Sequence, residues 1–202
     1  MKINKFAKTI SYIFDGSYIS IPAYLIINIF MLKTAREVAI WTPICILFGS
    51  IMPFVFVVFL YKKKIITDLH VPKREDRLKP LLVSNISYLL GYFVFYILRA
   101  PIYLRALFFT SFLTTVLLTI ITSFWKISFH TSWITFTSIS YYVFFGKWML
   151  FLFLLVPLVA WARVKIKRHT IGQVIAGSLL AVITTSFGYS FFGLMNIFNI
   201  HF

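Results

Sequence analysis

The chain has 202 residues, of which 60% are hydrophobic and only 12% charged, with a mean hydropathy of +0.91. A soluble domain of this size cannot hide so much apolar surface, so lipid is the expected solvent. The net charge of +15 sits on a chain with almost no soluble surface, which disfavours nucleic acid as a partner and favours anionic lipid headgroups or phosphate on a lipid.

Residues 1–16 place Ile3, Phe6, Ile10, Ile13 and Phe14 at helical spacing, with Lys2, Lys5 and Lys8 off that stripe. This predicts an amphipathic helix lying in the membrane interface. No short apolar core followed by a small-residue cleavage site is present, so no removable signal peptide is expected. Apolar stretches then follow at 18–32, 38–61, 81–98, 106–124, 133–145, 148–162 and 171–195. A span of the hydrocarbon needs roughly 17 residues or more, and 18–32, 133–145 and 148–162 fall short of that. The expectation is an all-α, polytopic integral membrane bundle over residues 17–202, with six or seven membrane helices plus the N-terminal interfacial helix. The single cysteine, Cys45, excludes an internal disulfide and cannot build a thiolate metal site alone.

With the N-terminus on one face, the loops at 62–80, 125–132 and 163–170 all fall on that same face. Fifteen of the twenty Lys and Arg residues lie there and five lie opposite. The positive-inside rule makes that face cytoplasmic. A phosphate site would itself be basic, and setting aside six candidate site cations (Lys73, Arg74, Arg77, Lys79, Arg163, Arg168) leaves nine against five.

The three loops carry most of the polar chemistry. The first reads TDLHVPKREDRLKP (67–80), the second WKISFHTS (125–132) and the third ARVKIKRHTIGQ (162–173). Each leads into the N-terminal end of a helix, where free N–H groups and the positive end of the dipole favour phosphate. Packed as neighbours, the three ends would bring several cations and two histidines, His130 and His169, onto one anion. That combination suits phosphoryl transfer through a covalent histidine. His169 and Gln173 are four residues apart, so a helix starting near Thr170 lets the amide hold the ring and fix its tautomer. Plainer readings apply nearby. Lys62, Lys63 and Lys64 suit a membrane anchor, His70 and His201 suit interfacial positions, and Ser128 alone suits a helix cap.

Taken together, the three segments resemble the type 2 phosphatidic acid phosphatase family, related to the vanadium haloperoxidases. Its motifs run K-x6-R-P, P-S-G-H and S-R-x5-H-x3-D, in that order. Here Arg163, His169 and Gln173 hold the third spacing, Ser128 and His130 the second, and Lys79 with Pro80 the end of the first, all between about residues 68 and 177. The resemblance implies a membrane lipid-phosphate phosphatase acting on a phosphomonoester or diphosphate, with no metal and no cofactor. His169 would be the nucleophile, His130 the general acid, and Gln173 the group orienting His169. Arg163, Ser128 and the first-segment cations would hold phosphate: Arg77 and Lys79 foremost, then Arg74 and Lys73. The sequence departs from the pattern at Gln173 (Asp in the family), Phe129 (Gly), Ala162 (Ser) and in the spacing of Lys73. A glutamine orients an imidazole without stabilising its cation, which keeps open a lipid-phosphate binder without turnover. A small transporter is the third reading, and it would place ionisable residues at mid-membrane depth.

Overall fold

The structure is a computed structural model that describes residues 2–69, 71 and 74–195, apart from the side chains of Lys2, Ser17 and Tyr18. The expectations for His70, Lys73 and His201 lie outside the described residues. Among the described residues there are eight helices and no strand.

Helix α1 (Lys2–Ile13) buries Ala7, Ile10 and Ser11 on one face and leaves Lys5, Lys8, Ile3 and Phe6 exposed. The buried stripe is therefore one step round from the one the apolar spacing suggested, because Ala7 and Ser11 are small enough to let α1 lie close on a neighbour. Helix α2 (Gly16–Met31) follows almost without a break. Helix α3 (Ala35–Lys62) starts on a Thr34–Glu37 capping box, in which Thr34 accepts from Glu37 N–H and the Glu37 carboxylate accepts from Thr34 N–H.

Within α3 one π-turn covers Leu47–Ile51. Its cause is readable in the sequence. Pro53 has no N–H to offer the Gly49 carbonyl, so the ladder must loosen there. Side chains of the next helix take up the freed oxygens: Tyr88 Oη donates to Gly49 O at 3.3 Å and Ser87 Oγ to Phe48 O at 2.6 Å.

Helix α4 (Leu78–Ile97) begins through a 3-10 turn, Glu75–Arg77. The chain becomes helical before Pro80, and that early start carries Arg77 into the protein. Helices α5 (Ile102–Phe124) and α6 (Phe129–Phe145) follow. Helix α7 (Lys147–Lys165) opens as a 3-10 run, Lys147–Leu154, after Gly146 at φ +81, and α8 (Ile171–Phe191) closes the described bundle.

Helices α3, α4, α5, α7 and α8 are long and apolar enough to cross a membrane. Their outer faces stay apolar in the protein, with Ile97, Phe124, Leu154 and Phe191 all more than 60% exposed, as lipid contact requires. Inside the bundle the contacts rely on small and hydroxylated residues rather than on bulk, the usual solution where lipid is as apolar as leucine. On α5, Ser111, Thr114 and Thr115 return their hydroxyls to carbonyls one turn back, each at 2.8 Å, and Thr114 also reaches Thr184 of α8 at 2.8 Å. The main packing pairs are α4 with α5, α6 with α8, α6 with α7, α3 with α4 and α5 with α8, and α1 lies on α7. As a result the start of α6, the α7–α8 loop, the start of α4 and the α1–α2 junction meet at one end.

Candidate functional site

The site is built around the end of α7. The C-terminal carbonyls there are closed by a Schellman arrangement: Arg168 N–H donates to Arg163 O at 3.1 Å and Lys167 N–H to Val164 O at 2.9 Å. Lys167 takes the left-handed conformation (φ +56) that this turn demands. The turn brings His169 back under the helix it has just left, where His169 N–H donates to Arg163 O at 3.4 Å.

Thr170 then caps α8 in a capping box with Gln173. The Gln173 Oε1 atom accepts from Thr170 N–H at 3.2 Å, which fixes the oxygen end of the amide on this side. The same oxygen lies 3.0 Å from His169 Nδ1, so Nδ1 must be the protonated nitrogen and must donate. The other nitrogen, Nε2, keeps its lone pair; it is buried, with no hydrogen-bond partner among the described residues. Burial above all, then Arg163 and Arg77 with a smaller push from Lys126, drives His169 down to about 3 against the opposing pull of the Gln173 bond. The ring is neutral at any physiological pH.

Two buried guanidiniums flank it. Arg77 Nε donates to Val71 O at 2.8 Å, one NH group to Ile127 O at 3.4 Å, and the guanidinium lies 5.7 Å from the centre of the Phe129 ring. Val71 reaches that position at φ +42, a strained conformation for a β-branched residue. Arg163 donates to Ser11 Oγ of α1 at 2.6 Å, and its Nε has no partner among the described residues. Lys126, in the loop before α6, is held below the ordinary lysine range by partial burial and by Arg77, Arg163 and Arg168. These four cations share one electrostatic neighbourhood.

Ser128 caps α6, accepting from Thr131 N–H at 3.5 Å, while its own N–H donates to Gln173 O at 3.2 Å. Thr131 Oγ1 adds a bond to Val174 O at 3.0 Å. The α6 start is thereby fastened to the α8 start, and His130 and His169 line the same cavity. A Cβ on Gly177 would collide with the Ser128 carbonyl oxygen, so the bare backbone is what allows this approach. His130 Nε2 lies 3.3 Å from the Asp15 carboxylate at the α1–α2 junction. Burial above all, with Arg163 and Arg77, opposes protonation of that ring and holds it below the ordinary histidine range, while Asp15 works the other way.

A cavity of about 220 Å³ connects these groups. Asp15, Arg77, His130 and His169 line it, and it continues among α2, α3, α4 and α5 past Ser50, Ser84, Tyr88 and Thr114.

Of the residues picked from the sequence, His169, His130 and Arg77 share the cavity wall, Gln173 holds His169, and Arg163 adds its charge beside them. Ser128 is fully buried as a cap and does not line the cavity. Arg74 turns away to Glu75 and to the Ser123 carbonyl, and Lys79 is exposed; neither lines the cavity. Phe129, which stands where the related pattern has glycine, lies under Arg77. Sequence reasoning did not select Asp15, Ser11 or Lys126. The available hint was Asp15 itself, one of only five carboxylates in the chain.

Comparison with family models, with curated proteins and with solved structures finds no match to this chain.

Proposed function

We propose that this chain is a membrane lipid-phosphate phosphatase working through a phosphohistidine. One observation carries the proposal. The His169 ring has Nδ1–H committed to the Gln173 oxygen, and its free Nε2 is buried beside Arg77 and Arg163. A neutral imidazole with one nitrogen tied and the other free is a nucleophile. Two guanidiniums are what a transferring phosphoryl group needs.

In the first step Nε2 forms a bond to phosphorus and the bond from phosphorus to the ester oxygen breaks. His130 supplies the proton that the leaving alcohol takes. In the second step a water oxygen bonds to phosphorus, its proton passes to His130, and the N–P bond breaks to release phosphate. Arg77 and Arg163, with Lys126 at the outer side, are the proposed phosphoryl-holding cations.

The substrate is a lipid phosphate or diphosphate, and its tail enters laterally between helices. The cavity running from His169 among α2 to α5 supports that route. The proposed topology has seven crossings, with α2 and α6 joining the five longer helices and α1 in the interface. The Lys and Arg count supports a cytoplasmic site.

The test is phosphate release from a panel of lipid phosphates by detergent-purified protein, with His169→Ala alongside. Release that disappears in the variant supports the proposal. Gln173 favours a second reading, a lipid-phosphate binder without turnover. Its signature is thermal stabilisation by inorganic phosphate with no release from any lipid.

A further inference from the structure

The N-terminal helix looks like an anchor by sequence, yet it is fastened to the site at two points. Ser11 accepts from Arg163, a pair separated by 152 residues of sequence, and Asp15 meets His130. Just before those points α1 is packed on α7: Ala7 and Ile10 are buried with Val159 and Ala162, and Phe6 lies 6.1 Å from Trp161. The α1–α2 junction is thus held in place, and Asp15 faces the cavity rather than solvent.

The partner of His169 is the uncharged Gln173. The Asp15 carboxylate stands instead beside the second histidine. With Nε2 of His130 occupied by Asp15, the remaining ring nitrogen is the one able to exchange a proton with a substrate.

We propose that Asp15 is the positioning residue for proton transfer by His130, delivered by the docked N-terminal helix, so that the N-terminal segment is part of the active site. The inference rests on the phosphatase reading above. Its physical content is that burial, Arg163 on α7 and Arg77 before α4 all disfavour a proton on this imidazole, and Asp15, 3.3 Å from Nε2, is the group that opposes them. In the first step the proton leaves His130 for the ester oxygen. In the second it returns from water, with Asp15 holding the ring in one orientation throughout.

The experiment compares wild type, Asp15→Asn and Asp15→Glu on two substrates: a short-chain phosphatidic acid, whose alkoxide must be protonated as it leaves, and p-nitrophenyl phosphate, whose phenolate need not be. Asp15→Asn should lower kcat on the lipid at least 100-fold with KM changed less than threefold. It should leave formation of the phosphoenzyme from p-nitrophenyl phosphate within threefold. The alkaline limb of the lipid pH profile should move to lower pH, and Asp15→Glu should recover part of the loss. Equal loss on both substrates, or higher activity with a lower KM because the carboxylate had been occupying the anion site, would overturn the proposal.

If wild type releases no phosphate at all, the phosphatase reading fails by itself. Histidine NMR then tests the pair alone: the His130 titration should fall by at least one pH unit in Asp15→Asn, and an unmoved titration overturns it.

Discussion

Gln173→Glu is the sharpest perturbation of the site, because it changes charge while keeping shape. The glutamate oxygen can take both bonds the amide oxygen takes now, from Thr170 N–H at 3.2 Å and His169 Nδ1 at 3.0 Å. The helix cap and the tautomer therefore survive. A unit charge about 4 Å from the imidazole, at an effective dielectric of about 20, stabilises the imidazolium by about 4 kcal/mol. At about 1.4 kcal/mol per pH unit that is roughly three units, enough to lift His169 from about 3 to about 6. Bonding of Nε2 to phosphorus also leaves positive charge on the ring. If half of the interaction has developed in the transition state, the barrier falls by about 2 kcal/mol and kcat at pH 7 rises roughly thirtyfold. The new carboxylate offsets part of the field of Arg77 and Arg163, so KM rises as well. The assay is steady-state phosphate release between pH 4.5 and 8, read beside the histidine NMR titration. The variant should acquire an acid limb near pH 6 that wild type lacks. A variant no faster than wild type, with the tautomer intact and no acid limb, would refute the assignment of His169 as a nucleophile oriented by residue 173.

Three further outcomes follow from the same geometry. Gly177→Ala should destabilise the detergent-solubilised protein by about 1–3 kcal/mol, since the added methyl meets the Ser128 carbonyl and Thr131 Oγ1; Gly172→Ala, with nothing within 4 Å, should instead stabilise it, by up to about 1 kcal/mol. Phe129→Ala removes the ring beneath Arg77, an interaction of about 1 kcal/mol, and should weaken inhibition by inorganic phosphate about fivefold. His169 stays neutral in the folded state down to about 3 while the unfolded chain protonates near 6.5, so the unfolded state binds the extra proton in that window. Stability should therefore fall as the pH drops below 6.5, by up to about 1.4 kcal/mol per unit, and melting curves of His169→Ala should show a shallower decline.

Much of this was legible in the sequence where the determinants are local. The apolar runs located the helices because a lipid-facing helix needs little else. The Pro53 effect on α3 needed only the missing N–H. His169 with Gln173 was legible because a capping box and an i, i+4 contact lie within one turn. What failed was phase and distance. The family resemblance implies both Arg77 and Lys79 as phosphate contacts, yet residues two apart on a helix point about 200° from each other. Only one of them can face inward, and the 3-10 turn before α4 decided which. Nothing in the sequence announced that turn, because Pro80 suggested a later start. Ser11 and Asp15 reach the site through the docking of α1 on α7. No spacing rule joins residue 11 to residue 163, and the small residues that permit the docking, Ala7 and Ser11, are weak signals in an apolar segment.

The charges of the site divide into two kinds of partnership, and the division bears on what the site does. Burying a guanidinium is costly unless its hydrogens are satisfied, and a carboxylate is the partner that also neutralises the charge. Arg77 donates to two carbonyls and lies against an aromatic face, and Arg163 donates to a serine hydroxyl while its Nε has no partner among the described residues. Their geometry is fixed while their charge remains for an anion. His169, the proposed nucleophile, follows the same rule, since Gln173 holds its ring without adding a charge. The exception is His130, whose partner is a carboxylate. A group that must give up and regain a proton needs an anion beside it, whereas groups that hold a phosphoryl dianion are weakened by one. On the proposed reading the Asp15–His130 pair serves proton transfer and the guanidiniums serve the phosphoryl group, although the Asp15 carboxylate also acts on Arg163.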